Sequence, residues 1–142
     1  MNYKELKERH QTEVNAFPLG AAFSNKQFAE MMAKWGFGEN ETDKIYSIGA
    51  GCYIRRADSP VFRGMFNRHE QERQQAMDAD KTGGGYIYQM FACELADHEY
   101  GYTYDFGQTF DALGLTFEQV YNDKRLRRGL NKALKQYGGK RI

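Results

Sequence analysis

The sequence is poor in cysteine and proline, with two of each, and it contains no long apolar run. A membrane-spanning helix needs roughly 20 consecutive apolar residues, so no membrane contact is expected. The opening stretch, Met1-Asn2-Tyr3-Lys4-Glu5, lacks the apolar core of a signal peptide. Cys52 and Cys93 form neither a CxxC pair nor a four-ligand set, which argues against a zinc site built on thiolates. We therefore expect a cytoplasmic protein whose two cysteines are reduced and buried.

The sequence also has no recognisable catalytic motif. Gly49-Ala50-Gly51 lacks the third glycine of a dinucleotide fingerprint. In Lys81-Thr82-Gly83-Gly84-Gly85 the glycines follow the Lys-Thr pair, whereas a P-loop has them before it. None of the three serines lies in the G-x-S-x-G turn of a hydrolase. These patterns favour a protein that is not an enzyme and needs no cofactor.

Aromatic residues, in contrast, are abundant and make up 15% of the chain. Disordered chains are poor in aromatic residues, so this one is expected to fold. Its 142 residues are the size of one ordinary domain. We expect a single domain over residues 1–142, with a frayed helix at 1–13 and a flexible basic tail at 138–142.

Local patterns predict an α+β fold, in which a small antiparallel sheet packs against four to six helices. Strands are predicted at 15–23, where Pro18 favours an edge or a bulge, and at 44–55, where apolar residues alternate. The helices follow cap and start signals. They are predicted to begin near Ser24, Ser59, Tyr86, Asp105, Thr116 and Asp123.

Four side chains on two predicted helices form a candidate metal site. His69 and Glu72 lie on the helix that begins near Ser59, and Glu94 and His98 lie four residues apart on the next. If the two helices pack antiparallel, the four side chains converge, and imidazole with carboxylate suits zinc, iron or manganese. The alternative, which we favour, is a hydrogen-bonded histidine near the end of each helix. A metal-dependent enzyme is therefore the least favoured function.

Charge is divided unevenly along the chain. Residues 124–142 include eight basic residues and no acidic one, whereas residues 78–123 include nine acidic residues and a single basic one, Lys81. The simplest interpretation is that the basic residues complement the dipole of the last helix or pair with the acidic segment. Alternatively, the last helix docks on nucleic acid or on an acidic protein surface.

The basic end supplies one candidate binding surface. Arg125, Arg128 and Lys132 fall on the face of the last helix away from its leucine stripe. Contacts from these side chains to phosphates would give weak binding that depends strongly on salt.

The acidic segment supplies a second candidate surface, made of Tyr100, Tyr102, Tyr104 and Asp105. Tyrosines among carboxylates suit a protein interface, because tyrosine provides contact area at a low entropy cost. The alternative is that half of these tyrosines pack inward as a strand.

Four stretches have the pattern of a known family: residues 22–28, 42–49, 79–83 and 94–100. Together they resemble a family of small uncharacterised proteins carried by plasmids, conjugative elements and phages of gut Firmicutes. The resemblance covers roughly residues 15–136 and implies no activity and no catalytic residue. It implies a setting in which inhibitors of host defence occur, such as anti-CRISPR and anti-restriction proteins.

From these patterns we expect a non-enzymatic accessory protein that binds a protein or nucleoprotein target. Its most specific form is an inhibitor of a bacterial defence nuclease. A nucleic-acid-binding module that uses the last helix is the second hypothesis. The sequence indicates neither the target nor the oligomeric state.

Overall fold

A computed structural model describes residues 2–138 and 140–142. In that part of the chain, eight α-helices accompany a three-stranded antiparallel sheet, which confirms the predicted α+β class. The predicted two strands and four to six helices are fewer than the structure contains. The helices are α1 (Tyr3–Ala16), α2 (Asn25–Lys34), α3 (Ser59–Ala79), α4 (Tyr86–Asp97), α5 (Tyr100–Thr103), α6 (Gly107–Leu113), α7 (Phe117–Asn122) and α8 (Lys124–Leu134), and the strands are β1 (Gly20–Ala21), β2 (Ile45–Gly49) and β3 (Cys52–Arg55).

The described chain divides into two compact units. The first unit takes residues 1–11 and 71–142, and the second takes residues 12–70. Helices α1 and α3 each contribute residues to both units. The expectation of a single domain over 1–142 stays a prediction. None of the described helices combines the length and apolar character that crossing a bilayer requires.

The core of the first unit lies where α4 packs against α8. Ile87, Phe91 and Leu95 of α4 and Leu130 and Leu134 of α8 are completely buried. Both stripes repeat every three or four residues, as one face of a helix does. Each such side chain contributes roughly 1.5–3 kcal/mol when it leaves water, so this contact holds the unit together.

Two glycines allow α8 to approach the loop that precedes α4. A Cβ atom on Gly129 would lie 2.6 Å from Cγ2 of Ile87 and 2.7 Å from the backbone oxygen of Gly83. A Cβ atom on Gly83 would overlap the backbone oxygen of Arg125, and Gly83 also has φ of +83°. A side chain at Gly83 or Gly129 would force the backbone of α8 away from the loop that precedes α4.

The glycine-rich loop before α4 encloses the carboxylate of Asp80. That carboxylate accepts backbone N–H groups from Gly83 at 2.9 Å, Ile87 at 3.0 Å, Gly85 at 3.1 Å and Thr82 at 3.2 Å. Burial alone would raise the pKa of Asp80, but these backbone hydrogen bonds outweigh it and hold the pKa below its ordinary value. The loop therefore binds the chain's own carboxylate and caps α4.

The predicted starts of α7 and α8 are confirmed by their caps. Thr116 and Gln119 form a reciprocal capping box at α7. The carboxylate of Asp123 accepts the backbone N–H groups of Arg125 at 2.9 Å and Leu126 at 3.3 Å, so Asp123 caps α8.

In the second unit, the predicted strand 44–55 is wrong as a single element. It is a hairpin in which β2 and β3 are joined at Gly49, Ala50 and Gly51, which have φ of +92°, +53° and +74°. Apolar alternation continues through the turn, so the pattern alone did not reveal the reversal. Three consecutive left-handed residues reverse the chain direction there.

The strand predicted at 15–23 is mostly a different structure. Residues 15 and 16 belong to α1, and only Gly20–Ala21 forms β1. The sheet order is β1-β3-β2, so β1 lies at an edge, as Pro18 indicated.

The second unit has a small core built on α2. Met31 and Met32 are buried with Ala22 and Ile45, and Phe28 and Trp35 pack against them. The Ser24 side chain accepts the backbone N–H of Gln27, which confirms the predicted start of α2. One face of α2 therefore packs into this core.

Both chain ends make defined contacts, and the predicted fraying at 1–13 and flexibility at 138–142 stay predictions. Helix α1 extends to Ala16 and buries Tyr3, Leu6 and His10. In the predicted flexible tail, Gly139 lies outside the described residues. Ile142 is fixed to α8, because its backbone N–H donates to Asn131 at 2.8 Å and its backbone oxygen accepts from Arg127 at 3.0 Å.

Candidate nucleic-acid interface

A groove of about 740 Å³ runs beside α8 in the first unit. The described residues that line it include six basic side chains and no Asp or Glu side chain. Gly84, Asn131 and Ile142 complete the lining. We call this feature the basic groove, and its basic residues are Lys124, Arg127, Arg128, Lys132, Lys135 and Arg141.

The helical repeat of α8 explains why these charges gather on one side. Leu126, Leu130 and Leu134 are buried, and a helix turns once every 3.6 residues. Lys124 and Arg128 consequently lie on the side of α8 away from the leucine stripe, and Lys135 directly follows the helix. All three side chains are exposed.

Two of the basic side chains are positioned by main-chain oxygens and tyrosine rings. The Arg127 guanidinium donates to the backbone oxygen of Ile142 and lies 4.2 Å from the centre of the Tyr121 ring. The Lys132 ammonium donates to the backbone oxygen of Gly84 at 3.2 Å and lies 4.3 Å from the centre of the Tyr88 ring. Because the partners of Lys132 carry no charge, its ammonium keeps its full positive charge toward the groove.

The remaining charges are not cancelled by the acidic segment. In the part of the chain that the structure describes, the side chains of Lys124, Arg128 and Lys135 make no hydrogen bond or ion pair. Of the basic residues from 124 onward, only Arg125 lies within ion-pair distance of a described carboxylate, 3.4 Å from Asp123. Pairing with the acidic segment therefore does not explain the basic character of α8.

Arg125 differs from the other two basic residues predicted to bind a ligand. Its guanidinium donates to the backbone oxygens of Met77 at 2.9 Å and Asp80 at 3.1 Å, and it is half-buried. The side chain thus joins α8 to the end of α3 and does not line the groove. Arg128 and Lys132 do line it, so two of the three predicted residues lie together there.

The predicted tyrosine surface is also divided. Tyr100 is buried, whereas Tyr102 is 88% exposed and Tyr104 is 65% exposed. The segment is the helical turn α5, so the alternative of an inward-packing strand is wrong. Asp105 accepts the backbone N–H of Gly107 at 2.8 Å, close to the start of α6.

The residues of the candidate metal site make separate contacts. His69 lies 3.5 Å from Glu13 in the second unit. In the first unit, Glu72 accepts from Arg9 at 2.6 Å and lies 3.4 Å from His10. Among the described residues, no three His, Cys, Asp or Glu side chains are placed to hold a metal ion. The structure therefore does not assemble the predicted ligand set.

Glu94, the third of those residues, is a buried carboxylate with its own partners. It accepts the Tyr3 hydroxyl, lies 2.7 Å from the Lys7 ammonium and lies 3.4 Å from the His98 ring. Burial, and then the hydrogen bond to Glu94, raise the pKa of the Tyr3 hydroxyl above its ordinary value. This cluster ties the start of α1 to α4.

Sequence reasoning missed an aromatic feature beside the basic groove. Phe117 and Tyr121 on α7 have ring centres 5.8 Å apart and planes inclined by 23°, and Phe106 lies nearly parallel to Phe117 at 6.5 Å. Tyr121 carries the Arg127 guanidinium over its ring. We call Phe117 and Tyr121 the aromatic pair. Their four-residue spacing was a usable signal for a shared helix face.

The chain matches no curated protein and no solved structure. A family model described as "Family of unknown function (DUF7659)" matches residues 2–136, nearly the whole chain. This confirms the resemblance to an uncharacterised family, and the chain belongs to the DUF7659 family of unknown function.

Proposed function

We propose that this protein binds nucleic acid, whose phosphates occupy the basic groove. One observation carries the proposal: six basic side chains line a single groove whose described lining has no acidic side chain. A continuous positive surface of this kind suits a ligand with regularly repeated negative charges.

The electrostatic attraction of the basic groove for phosphates acts only over a short range. The formal net charge of the chain is only +1, so long-range attraction of the whole molecule for a polyanion is weak. At physiological salt, the screening length is about 8 Å, which is comparable with the spacing of side chains along one helix. Binding therefore depends on phosphates that enter the groove itself.

The exposed residues Lys124, Arg128 and Lys135 suit this role for an energetic reason. They are already solvated, and no internal partner among the described residues has to be displaced before they meet a phosphate. Each phosphate neutralised releases a counterion, so the logarithm of affinity falls with the logarithm of salt concentration. The slope is about −0.7 per contact on a single strand and about −0.9 on a duplex.

The test is a salt titration of binding to fluorescein-labelled oligonucleotides, followed by fluorescence anisotropy. The variant Lys124→Glu/Arg128→Glu/Lys135→Glu removes three groove charges without removing a described contact. We expect its affinity to fall about tenfold or more, and its salt slope on a single strand to flatten by about 2.

A matched control is Lys26→Glu/Lys34→Glu/Arg63→Glu, which makes the same change in charge at exposed positions of α2 and α3. None of these three residues lines the groove. Equal losses in the two triple variants, or no binding by the native chain even at low salt, would contradict the proposal.

A second candidate function is binding to a protein or nucleoprotein target through Tyr102 and Tyr104. The supporting observation is that α5 lies between Glu99 and Tyr104, non-glycine residues with φ of +56° and +53°. Such strained residues occur most often at functional sites, and this turn leaves two tyrosine rings in solvent. The most specific form of this candidate is a protein, carried by a mobile element, that inhibits a defence nuclease of the bacterial host.

Affinity capture with matched variants tests that candidate. Tyr102→Ala removes one ring, and Tyr104→Asn removes the other while keeping a residue type that tolerates the left-handed backbone. A partner retained by the native chain and lost with both variants supports the candidate. Retention that neither substitution changes counts against it.

A further inference from the structure

We infer that the basic groove prefers single-stranded to duplex nucleic acid, because the aromatic pair beside it offers ring surface to unpaired bases. This inference rests on the proposed function and specifies its substrate class. The carrying observation is the direct contact between the two features: Arg127 lines the groove, and its guanidinium lies 4.2 Å from the centre of the Tyr121 ring.

The aromatic pair is exposed although it belongs to an apolar-rich unit. Phe117 is 48% exposed and Tyr121 is 44% exposed. Large aromatic side chains contribute most when they are covered, so two half-exposed rings on one helix face leave a stacking surface for a ligand. Both rings lie on α7, whose capping box at Thr116 and Gln119 fixes the helix start.

The rings are held in place by the core behind them. Phe106 stacks on Phe117 with planes inclined by 6°, and Phe106 in turn lies 4.9 Å from Phe110, which is buried. A fixed ring loses little conformational freedom when a base stacks on it. The aromatic pair is therefore preorganised for flat ligands.

Arg127 joins the two kinds of contact. Its Nε–H donates to the backbone oxygen of Ile142, and its guanidinium lies over the Tyr121 ring. A guanidinium can stack on a ring and also form hydrogen bonds with a phosphate. A strand in the groove would thus place a phosphate near Arg127 and an adjacent base near Tyr121 and Phe117.

This arrangement discriminates between strand forms by geometry. In a duplex the bases are paired and stacked on each other, so only phosphates reach the protein. In a single strand the bases are free to stack on aromatic rings, which strengthens binding by roughly 5- to 150-fold per base. Because every base has a π-face, the preference is for strand form and not for sequence.

Two acidic residues neighbour the aromatic pair in the sequence, Glu118 and Asp123. Glu118 is exposed and follows Phe117 directly, so it points about 100° away around the helix. The carboxylate of Asp123 caps α8 and also accepts from Arg125 at 3.4 Å. The path from the aromatic pair to the groove therefore leads through Arg127.

The test compares the dissociation constants of the full chain for a strand of about 16 thymidines and for a duplex of equal length. Small single-strand-binding domains cover at most about 16 nucleotides, so this strand is long enough to fill the site. The variant Phe117→Leu/Tyr121→Leu keeps apolar bulk and removes the π-faces. We expect single-strand affinity to fall about tenfold or more and duplex affinity to stay within about twofold.

The matched control is Phe23→Leu, which removes a more exposed aromatic ring that does not line the groove. We expect it to leave both affinities unchanged. The variant Phe117→Leu/Tyr121→Leu overturns this inference if it loses equal affinity for the single strand and the duplex, or loses affinity for neither. Either result leaves the groove proposal intact. Insensitivity to the groove charge reversals overturns the groove proposal itself.

A measurement on the native chain covers the case in which the leucine variant does not fold. A strand that carries 5-bromouridine is irradiated while bound, and the crosslinked peptides are identified by mass spectrometry. Crosslinks to the α7 peptide that contains Phe117 and Tyr121 support the inference. Crosslinks found only outside that peptide overturn it.

Discussion

The two compact units differ in how much apolar side chain each one buries. Among the described residues, the core of the first unit has fourteen buried members, and that of the second has four. Since apolar burial is the main favourable term in folding, the first unit holds most of the stability.

This difference indicates which unit can hold a binding site of fixed geometry. Regions with few buried contacts open at a low free energy, whereas core helices open only near the global free energy of unfolding. The basic groove and the aromatic pair both belong to the first unit, on helices anchored by its core. Residues that recognise a ligand by geometry gain from such support.

The largest expected effect comes from Gly83→Ala in the first unit. The new methyl group would overlap the backbone oxygen of Arg125 at a residue with φ of +83°. Overpacking and left-handed strain together should lower the free energy of unfolding by about 3 kcal/mol or more, measured by urea denaturation. The control is Gly64→Ala, where a Cβ atom meets nothing within 4 Å. It should stabilise α3 by up to about 1 kcal/mol, and similar effects of the two changes would refute the packing argument.

A paired truncation compares the two cores directly. Leu130 and Met32 are both completely buried. Leu130→Ala should cost about 3–5 kcal/mol, and Met32→Ala about 2 kcal/mol, because the small cluster around Met32 can collapse into the space more easily. Hydrogen exchange should show faster exchange throughout α4 and α8 for Leu130→Ala, and only in the second unit for Met32→Ala. A larger loss from Met32→Ala would reverse the proposed ranking of the two units.

The next effect depends on pH. Asp80→Asn should lower the free energy of unfolding by about 1–3 kcal/mol at neutral pH, because it weakens four charge-assisted hydrogen bonds. The folded pKa of Asp80 lies below its ordinary value of 3.8, so the carboxylate stabilises the fold above that pH. As the pH falls from there through the folded pKa, the stabilisation is lost and the two proteins converge. A constant difference between pH 7 and pH 2 would show that the charge of Asp80 is unimportant.

The smallest effect belongs to the hairpin of the second unit. Ala50 is a non-glycine residue with φ of +53°, so Ala50→Gly should relieve strain and stabilise the hairpin by up to about 1 kcal/mol. Slower amide hydrogen exchange in β2 and β3 would show this stabilisation of the hairpin. Ala33→Gly, inside α2, should instead destabilise by about 1 kcal/mol. Destabilisation by both substitutions would mean that the turn carries no strain.

Local signals predicted much of the helical structure and the presence of an antiparallel sheet, but they placed the strands of that sheet wrongly. The Thr116 capping box and the Asp123 cap place two helix starts correctly, because the cap and the residues it bonds are neighbours in the chain. The hairpin was missed because Ile48, Ala50 and Cys52 continue the alternation of a strand through the turn. Whether Gly49 and Gly51 adopt positive φ depends on the pairing of the flanking strands, which a local pattern does not report.

The candidate site also has some features that the sequence predicted and others that it did not. The sequence alone determined that the last helix has a leucine stripe and a basic face, because a 3.6-residue repeat needs only local spacing. Only the tertiary structure decided that Arg125 turns inward to backbone oxygens and that Tyr121 meets Arg127. Those contacts depend on how α7 and α8 pack on the core, and packing of separate helices is set by the whole fold and not by the spacing within either helix.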